Sequence, residues 1–290
     1  ANRFGISIDD GPLFRATHVR PEGDDPISLS ILLDVNGTDR DLLKKIDDAI
    51  AGLAPLSLRP RDHVSIYAMD CFLIRTLHDE PADPVRLKSA VDAALQPWVS
   101  RGRREDKHGC SSRVNLWDAL TFLTDELYDL PGRRVILAVT DGDDRGSKYT
   151  WNQLRSSAQL RAVAIFGLRY VPAVEQFMSL NDLPEGAFNV VCELSGGLVM
   201  SANESSLEKK LKLFTAMLRG RYIVEFPRPL KGTPGPHGLA VKIDKSHAFI
   251  RSAGISVPMP DPAVMADPTT VPSDPSRTPE LGKRRILTAP

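Results

Sequence analysis

Leu29-Ser30-Ile31-Leu32-Leu33-Asp34-Val35-Asn36-Gly37-Thr38 is the stretch on which the fold turns. Its apolar run, Ile31-Leu32-Leu33, is short and almost unbroken, which suits a strand buried on both faces in the middle of a parallel sheet. The run stops at Asp34, and oxygen-bearing side chains follow at alternate positions: Asp34, Asn36 and Thr38. Gly37 lets the chain turn between them. A helix-like segment opens at Asp41-Leu42-Leu43 and reaches about residue 54. Ligands of open α/β sheets gather where strands end and helices begin. Hard oxygen donors at that edge suit a magnesium-type ion.

Working outward, Val135-Ile136-Leu137-Ala138-Val139 is a second buried-type strand, and it too ends in acidic residues, Thr140-Asp141-Gly142-Asp143-Asp144. Between the two, Pro55 and Pro60 punctuate a loop, and His63 to Ala68 and Phe72 to Leu77 read as strands. Asp83 is a good N-cap and Pro84 takes the first helical position of a helix whose stripe is Leu87, Val91, Ala94, Leu95 and Trp98. A polar segment over 100–112 leads to a further helix with Leu116, Ala119, Leu120, Leu123 and Leu127 at helical spacing. Beyond residue 144 a helix around 150–160, a strand from Ala162 to Phe166, a short helix over 187–195 and strand-like Leu198-Val199-Met200 follow. Ser205 to Leu218 is amphipathic, with Leu207, Leu211, Phe214 and Leu218 on one stripe. This alternation through residues 29–219 predicts an α/β fold: a Rossmann-like, doubly wound, mainly parallel sheet covered by helices on both faces.

The chain ends read differently. Phe4, Ile6 and Ile8 alternate, Asp9-Asp10-Gly11 is a turn signal, and Leu13 to Val19 is a second run. Tyr222 to Phe226 and Leu239 to Ile250 are two more β runs. The expected organisation is therefore strands at 1–27 and 220–256 forming a small β extension from both chain ends, a main domain over 28–219, and a Pro-rich, disordered tail over 257–290.

Composition excludes more than it selects. Of 290 residues, 37 are basic and 37 acidic, so net charge favours neither nucleic acid nor an anionic membrane. No segment approaches the ~20 apolar residues of a membrane span, and no signal peptide is visible at Ala1. The basic run over residues 101–108 carries mixed signs and reads as a solvated loop. The three cysteines, Cys71, Cys110 and Cys192, match no zinc spacing. The histidines form no cluster, and no Gly-x-Ser-x-Gly elbow marks a hydrolase.

With these segments in order, the chain resembles a von Willebrand factor type A domain, most of all the bacterial group in which flanking β strands precede and follow the domain. The resemblance covers roughly residues 4–255, judged from segment order. The family's first strand ends in Asp-x-Ser-x-Ser, and here Asp34-Val35-Asn36-Gly37-Thr38 stands in that place. Leu116-Trp117-Asp118-Ala119 matches the helix after the second metal loop, but Val114 falls where a Thr ligand is expected. Asp141 matches the Asp of the third loop, and Glu193-Leu194-Ser195-Gly196-Gly197 and Arg221 to Phe226 match later segments. The resemblance implies a non-enzymatic adhesion or protein-binding module. It also implies a degenerate divalent-metal site built from Asp34, Asn36, Thr38 and Asp141, with Mg2+ as the ion and an acidic group of a partner protein at the open coordination position. Asn115 or Ser112 would be the substitutes for the missing Thr. The family's bacterial members are largely exported, which implies a secreted or periplasmic setting.

Two other readings fit some of these residues. In a metal-free interaction scaffold, Asp34, Asn36 and Thr38 form a hydrogen-bonded, Asx-type turn, and Asp143 and Asp144 are ordinary loop carboxylates. In a haloacid-dehalogenase-like phosphohydrolase, Asp34 would be the nucleophile of an Asp-x-Asp-Gly-Thr signature, but Asn36 cannot transfer the proton that the second Asp would. Cys71 follows a strand and Cys110 precedes a helix, which places both at the Asp34 edge of a doubly wound sheet. A disulfide between them is possible there and would persist in the exported setting that the resemblance implies. Cys192, among Val190, Val191 and Leu194, reads as a buried thiol.

Overall fold

The apolar runs that end at Asp34 and Val139 pair side by side, in parallel, from Ile27↔Arg133 to Leu33↔Val139. The computed structural model describes residues 3–21, 23, 25–35, 40–56, 58–102, 114–144, 146–170, 186–203, 205–227 and 237–246. In chain order its elements are β1 (Phe4–Ile8), β2 (Phe14–Arg15), β3 (His18–Pro21), β4 (Ile27–Asp34), α1 (Arg40–Ala51), α2 (Leu53–Leu56), β5 (His63–Met69) and β6 (Leu73–Pro81). There follow α3 (Pro84–Gly102), α4 (Leu116–Glu126), β7 (Arg133–Val139), α5 (Trp151–Leu160), β8 (Val163–Tyr170) and α6 (Ala187–Leu194). The last are β9 (Val199–Ala202), α7 (Leu207–Arg219), β10 (Tyr222–Glu225) and β11 (Leu239–Ile243).

The chain divides into two compact units, one of them over Asp24–Arg219 and the other built from the chain ends. The larger unit holds a six-stranded sheet in the order β6-β5-β4-β7-β8-β9. Counted along the unit this is the doubly wound order 3-2-1-4-5-6. All its pairs are parallel except β5 with β6, which is antiparallel. Every residue of β4 is buried, as a central strand requires. Its side chains alternate between two cores. Ile31 and Leu33 pack with Leu42, Ile46, Leu87, Val91, Leu211 and Phe214, from α1, α3 and α7. Leu32 packs with Leu116, Leu120, Leu154 and Val191, from α4, α5 and α6. The apolar stripe Leu207, Leu211, Phe214 and Leu218 is wholly buried, and each such side chain contributes about 1.5–3 kcal/mol by leaving water.

In the smaller unit, β1 lies between β11 and β2, and β3 pairs antiparallel with β10. Asp9 and Asp10 have φ of 51° and 59°, and the Gly11 N–H donates to Ile8 O at 2.9 Å, so the expected turn is a tight one with both central residues left-handed. His237 Nδ1 lies 2.6 Å from Asp9 Oδ2, and the Gly238 N–H donates to Asp9 Oδ1 at 2.7 Å, fixing that turn to the start of β11.

Three local expectations need correction. Leu13 to Val19 is not one strand: β2 pairs with β1, whereas β3 pairs with β10. The switch falls at Ala16-Thr17, where the Thr17 N–H donates to Glu225 O. The helix from Pro84 does not stop before residue 100 but runs through Pro97 to Gly102. Pro55 lies within the short helix α2 rather than in a loop. The tail over 257–290 lies outside the described residues.

Candidate functional site

The order β5-β4-β7-β8 places the reversal of the sheet between β4 and β7. Chains leaving those two strands go to opposite sides, which opens a crevice at their carboxyl ends. Both strands end there in oxygen-bearing residues.

Asp34, the last residue of β4, is buried, with 3% of its surface exposed. The Thr140 hydroxyl, at the end of β7, donates to Asp34 Oδ2 at 2.7 Å. The same Thr140 oxygen accepts from the Gly142 N–H at 3.1 Å. Gly142 has φ of 85°, and a Cβ there would stand 2.8 Å from the Phe188 ring, so the turn that carries Asp141 needs glycine for conformation and for space. Asp141 is half-buried, and its Oδ1 accepts the Asp143 N–H at 2.9 Å. Two of the expected site residues, Asp34 and Asp141, thus stand at the ends of adjacent strands. The other two, Asn36 and Thr38, lie outside the described residues, as does Ser112.

Val114 contributes hydrocarbon where a hydroxyl was wanted. Its N–H donates to Asp70 O at 3.3 Å and its side chain packs against the core under α4. Asn115 is the N-cap of α4 but makes no side-chain cap. That work falls to the loop after β7. Asp144 Oδ1 accepts the Trp117 N–H at 3.2 Å, and Ser147 Oγ accepts the Asp118 N–H at 3.1 Å. In return, the Asp118 carboxylate accepts from Lys148 and Tyr149 N–H at 3.2 and 3.0 Å. Helix and loop cap one another across a gap of about thirty residues in the chain. Burial would push the Asp144 carboxyl up, but the Ser147 hydroxyl and the N–H groups of Ser147, Trp117 and Gly146 outweigh it and hold the carboxyl below its ordinary range. Asp144 is therefore no ordinary loop carboxylate. A clue was present in sequence: an Asp and a Ser three residues apart, just after a strand, form a capping-type pair.

The donors at this edge are all hard oxygens, which suits Mg2+ or Mn2+ in kind. Among the described residues no three His, Cys, Asp or Glu side chains gather as a metal-holding group.

At the same edge, Cys71 at the β5–β6 turn is disulfide-bonded. Cys110 lies outside the described residues. Cys192 in α6 is a free, fully buried thiol whose pKa burial pushes up. No described helix is long and apolar enough to cross a membrane.

No family model and no curated protein matches this chain. Among solved structures, it is similar to a von Willebrand factor type A protein from Catenulispora acidiphila, at 13% identity and a TM-score of 0.49, over 75% of this chain and 49% of that one. It is also similar to the conserved hypothetical protein BatB from Bacteroides thetaiotaomicron, at 16% identity and a TM-score of 0.46, over 66% of this chain and 97% of that one. A third is proximal thread matrix protein 1 from the mussel byssus with a zinc-occupied MIDAS motif, at 10% identity and a TM-score of 0.43, over 69% of this chain and 50% of that one. The chain spans about half the length of the first and the third. What binds at the site has to be read from the site's own residues.

Proposed function

We propose that this chain is a non-enzymatic, adhesion-type module that binds another protein at the carboxyl edge of its main sheet. The observation that carries the reading is the pairing of Asp34 with Thr140 across the reversal between β4 and β7, with half-buried Asp141 one residue further on. A buried carboxylate at a ligand crevice, held in place by the neighbouring strand's hydroxyl, is preorganised to receive something. Asp34 and Asp141, with Asn36 and Thr38 from the turn after β4, would hold a divalent ion, Mg2+ in the first instance. Its positive charge would receive an acidic side chain of the partner. The disulfide at Cys71 supports a secreted or periplasmic setting for such a contact.

Calorimetric titration of the full chain with MgCl2 and MnCl2 tests the ion. The expected result is saturable uptake that Asp34→Ala and Asp141→Ala both abolish. No uptake by the parent would leave a metal-free scaffold, a reading that hydrocarbon at Val114 favours. Turnover of a generic phosphate ester with magnesium, lost in Asp34→Ala, would overturn the non-enzymatic reading altogether.

A further inference from the structure

On the side of the sheet covered by α4, α5 and α6, no described helix lies over the edge strand β6. Between α4 and β6 lies a cleft of about 550 Å³, floored by Tyr67 of β5. That volume falls within the range of small-molecule sites, about 300–1,000 Å³. Leu73, Val114 and Phe122 give it apolar walls. Phe122 stands 45% exposed at the mouth, with its ring edge-on to Tyr67 at 6.3 Å.

The polar groups are few and lopsided. Tyr67 is 1% exposed, and among the described residues none meets its hydroxyl in good hydrogen-bond geometry. An unpartnered buried hydroxyl is costly, so its presence needs an explanation. Arg75 is the cross-strand partner of Tyr67, and the two side chains stand on the same face. Burial raises the Tyr67 pKa, against the Arg75 guanidinium and the Ser65 hydroxyl, which both lie near enough to the phenol to pull it down. Arg75 pairs with Glu126 of α4 at 2.8 Å, but the two side chains are 46% and 30% exposed. Such a half-exposed pair is weak and easily exchanged. The third charge, Asp118, already accepts two backbone N–H groups. Two donors therefore converge on one spot, and the group missing from it is an acceptor. A ligand donor would meet the Arg75 charge there, whereas a carboxylate can accept from both.

We infer that this cleft binds a small amphipathic anion: a carboxylate that takes Arg75 from Glu126 and accepts from the Tyr67 hydroxyl, carried on an aromatic or branched body that lies against Leu73, Val114 and Phe122. Val114 here serves as wall. The anion's contacts with Arg75 and Tyr67 involve neither Asp34 nor Asp141, so the inference does not depend on the site proposed above.

Titration of the full chain with 3-phenylpropionate, followed by calorimetry, tests the inference, with 3-phenylpropionamide as the uncharged control. Saturable binding of one molecule per chain is expected for the acid and none for the amide. Tyr67→Phe and Arg75→Gln should each weaken it about tenfold or more, and Glu126→Gln, which removes the competitor for Arg75, should tighten it. Tyr67→Phe should leave the Tm of the free protein unchanged or higher, because among the described residues the hydroxyl it removes has no partner in good geometry. A lower Tm would mean that the hydroxyl serves the fold, and would overturn the assignment. So would the absence of saturation by the parent up to about 10 mM, or binding that Tyr67→Phe and Arg75→Gln leave unaltered.

Discussion

Two buried aspartates mark the opposite edges of the main sheet, and their partners differ in kind. Asp62, just before β5 at the amino edge, is 0% exposed and forms an ion pair with Arg219 of α7. Its oxygens also accept from the Ile27 N–H at 3.0 Å and the Arg59 N–H at 2.6 Å. Around it the chain closes on itself: Arg133 donates to Leu218 O at 2.7 Å, and Gly132 stands so near Pro26 that a Cβ would lie 2.3 Å from its carbonyl oxygen. At the carboxyl edge Asp34 takes a neutral hydroxyl from Thr140, and Asp141 beyond it is half-buried. A carboxylate met by a guanidinium and two backbone N–H groups has its countercharge inside the protein and ties three segments together. A carboxylate aligned by a hydroxyl at the reversal of the sheet has its geometry fixed at the place where such sheets commonly bind ligands.

The most severe way to break this contrast is Asp62→Ala, which takes the carboxylate from Arg219 and from the Ile27 and Arg59 N–H groups and should cost about 3–5 kcal/mol of stability. Denaturant unfolding reads the loss. Asp34→Ala should cost clearly less, and an equal cost would make both edges structural. Reducing the disulfide of Cys71 should come next, at about 2–4 kcal/mol. Hydrogen exchange should then rise around the β5–β6 turn while the amides near Asp62 stay protected. Thiol titration in denaturant without reductant should find one thiol per chain, Cys192.

Magnesium sharpens the contrast further. At a hundredfold excess over its Kd it should stabilise the parent by about 2.7 kcal/mol. The Asp62→Ala protein should gain as much and Asp34→Ala nothing, which thermal melts with and without chelator would show. The smallest effect belongs to the cap between loop and helix. Asp144→Ala should cost about 1 kcal/mol, the worth of a helix cap. Because the folded pKa of Asp144 lies below its value of 3.8 in the free residue, its stabilisation is complete above that value and is lost as pH falls through the folded pKa. The parent should therefore lose its advantage over Asp144→Ala below about pH 4. A constant gap between the two across pH 3–7 would show that the carboxylate is not what caps α4.

What the sequence determined by itself was everything carried by a short period or a local cap. The unbroken apolar runs of β4 and β7 announced central strands, and the spacing of Leu207, Leu211, Phe214 and Leu218 announced a buried stripe. Asp83 before Pro84 announced a helix start, where the Arg86 N–H indeed donates to Asp83 Oδ1 at 2.9 Å. Asp34 could be named as a site candidate because it ends such a run, and Asp141 because the family resemblance puts a ligand at that strand end. Only the tertiary structure decided which strands those elements join and what their polar ends meet. Leu13 to Val19 reads as one run, yet its halves belong to different sheets: Phe14–Arg15 pairs with the nearby Phe4–Ile8, whereas His18–Pro21 pairs with Tyr222–Glu225, more than 200 residues away. The segment over 100–112 reads as polar and loop-like, yet α3 continues through Pro97 to Gly102, held by the packing of Leu87, Val91, Ala94 and Leu95. Asp144 reads as a loop carboxylate until α4 is folded against it, and the Tyr67 hydroxyl reads as nothing until β6 brings Arg75 alongside. Periodicity is a property of neighbours along the chain. A hydrogen-bond partner or an unfilled cleft is a property of neighbours in space, and those neighbours exist only once the chain has folded.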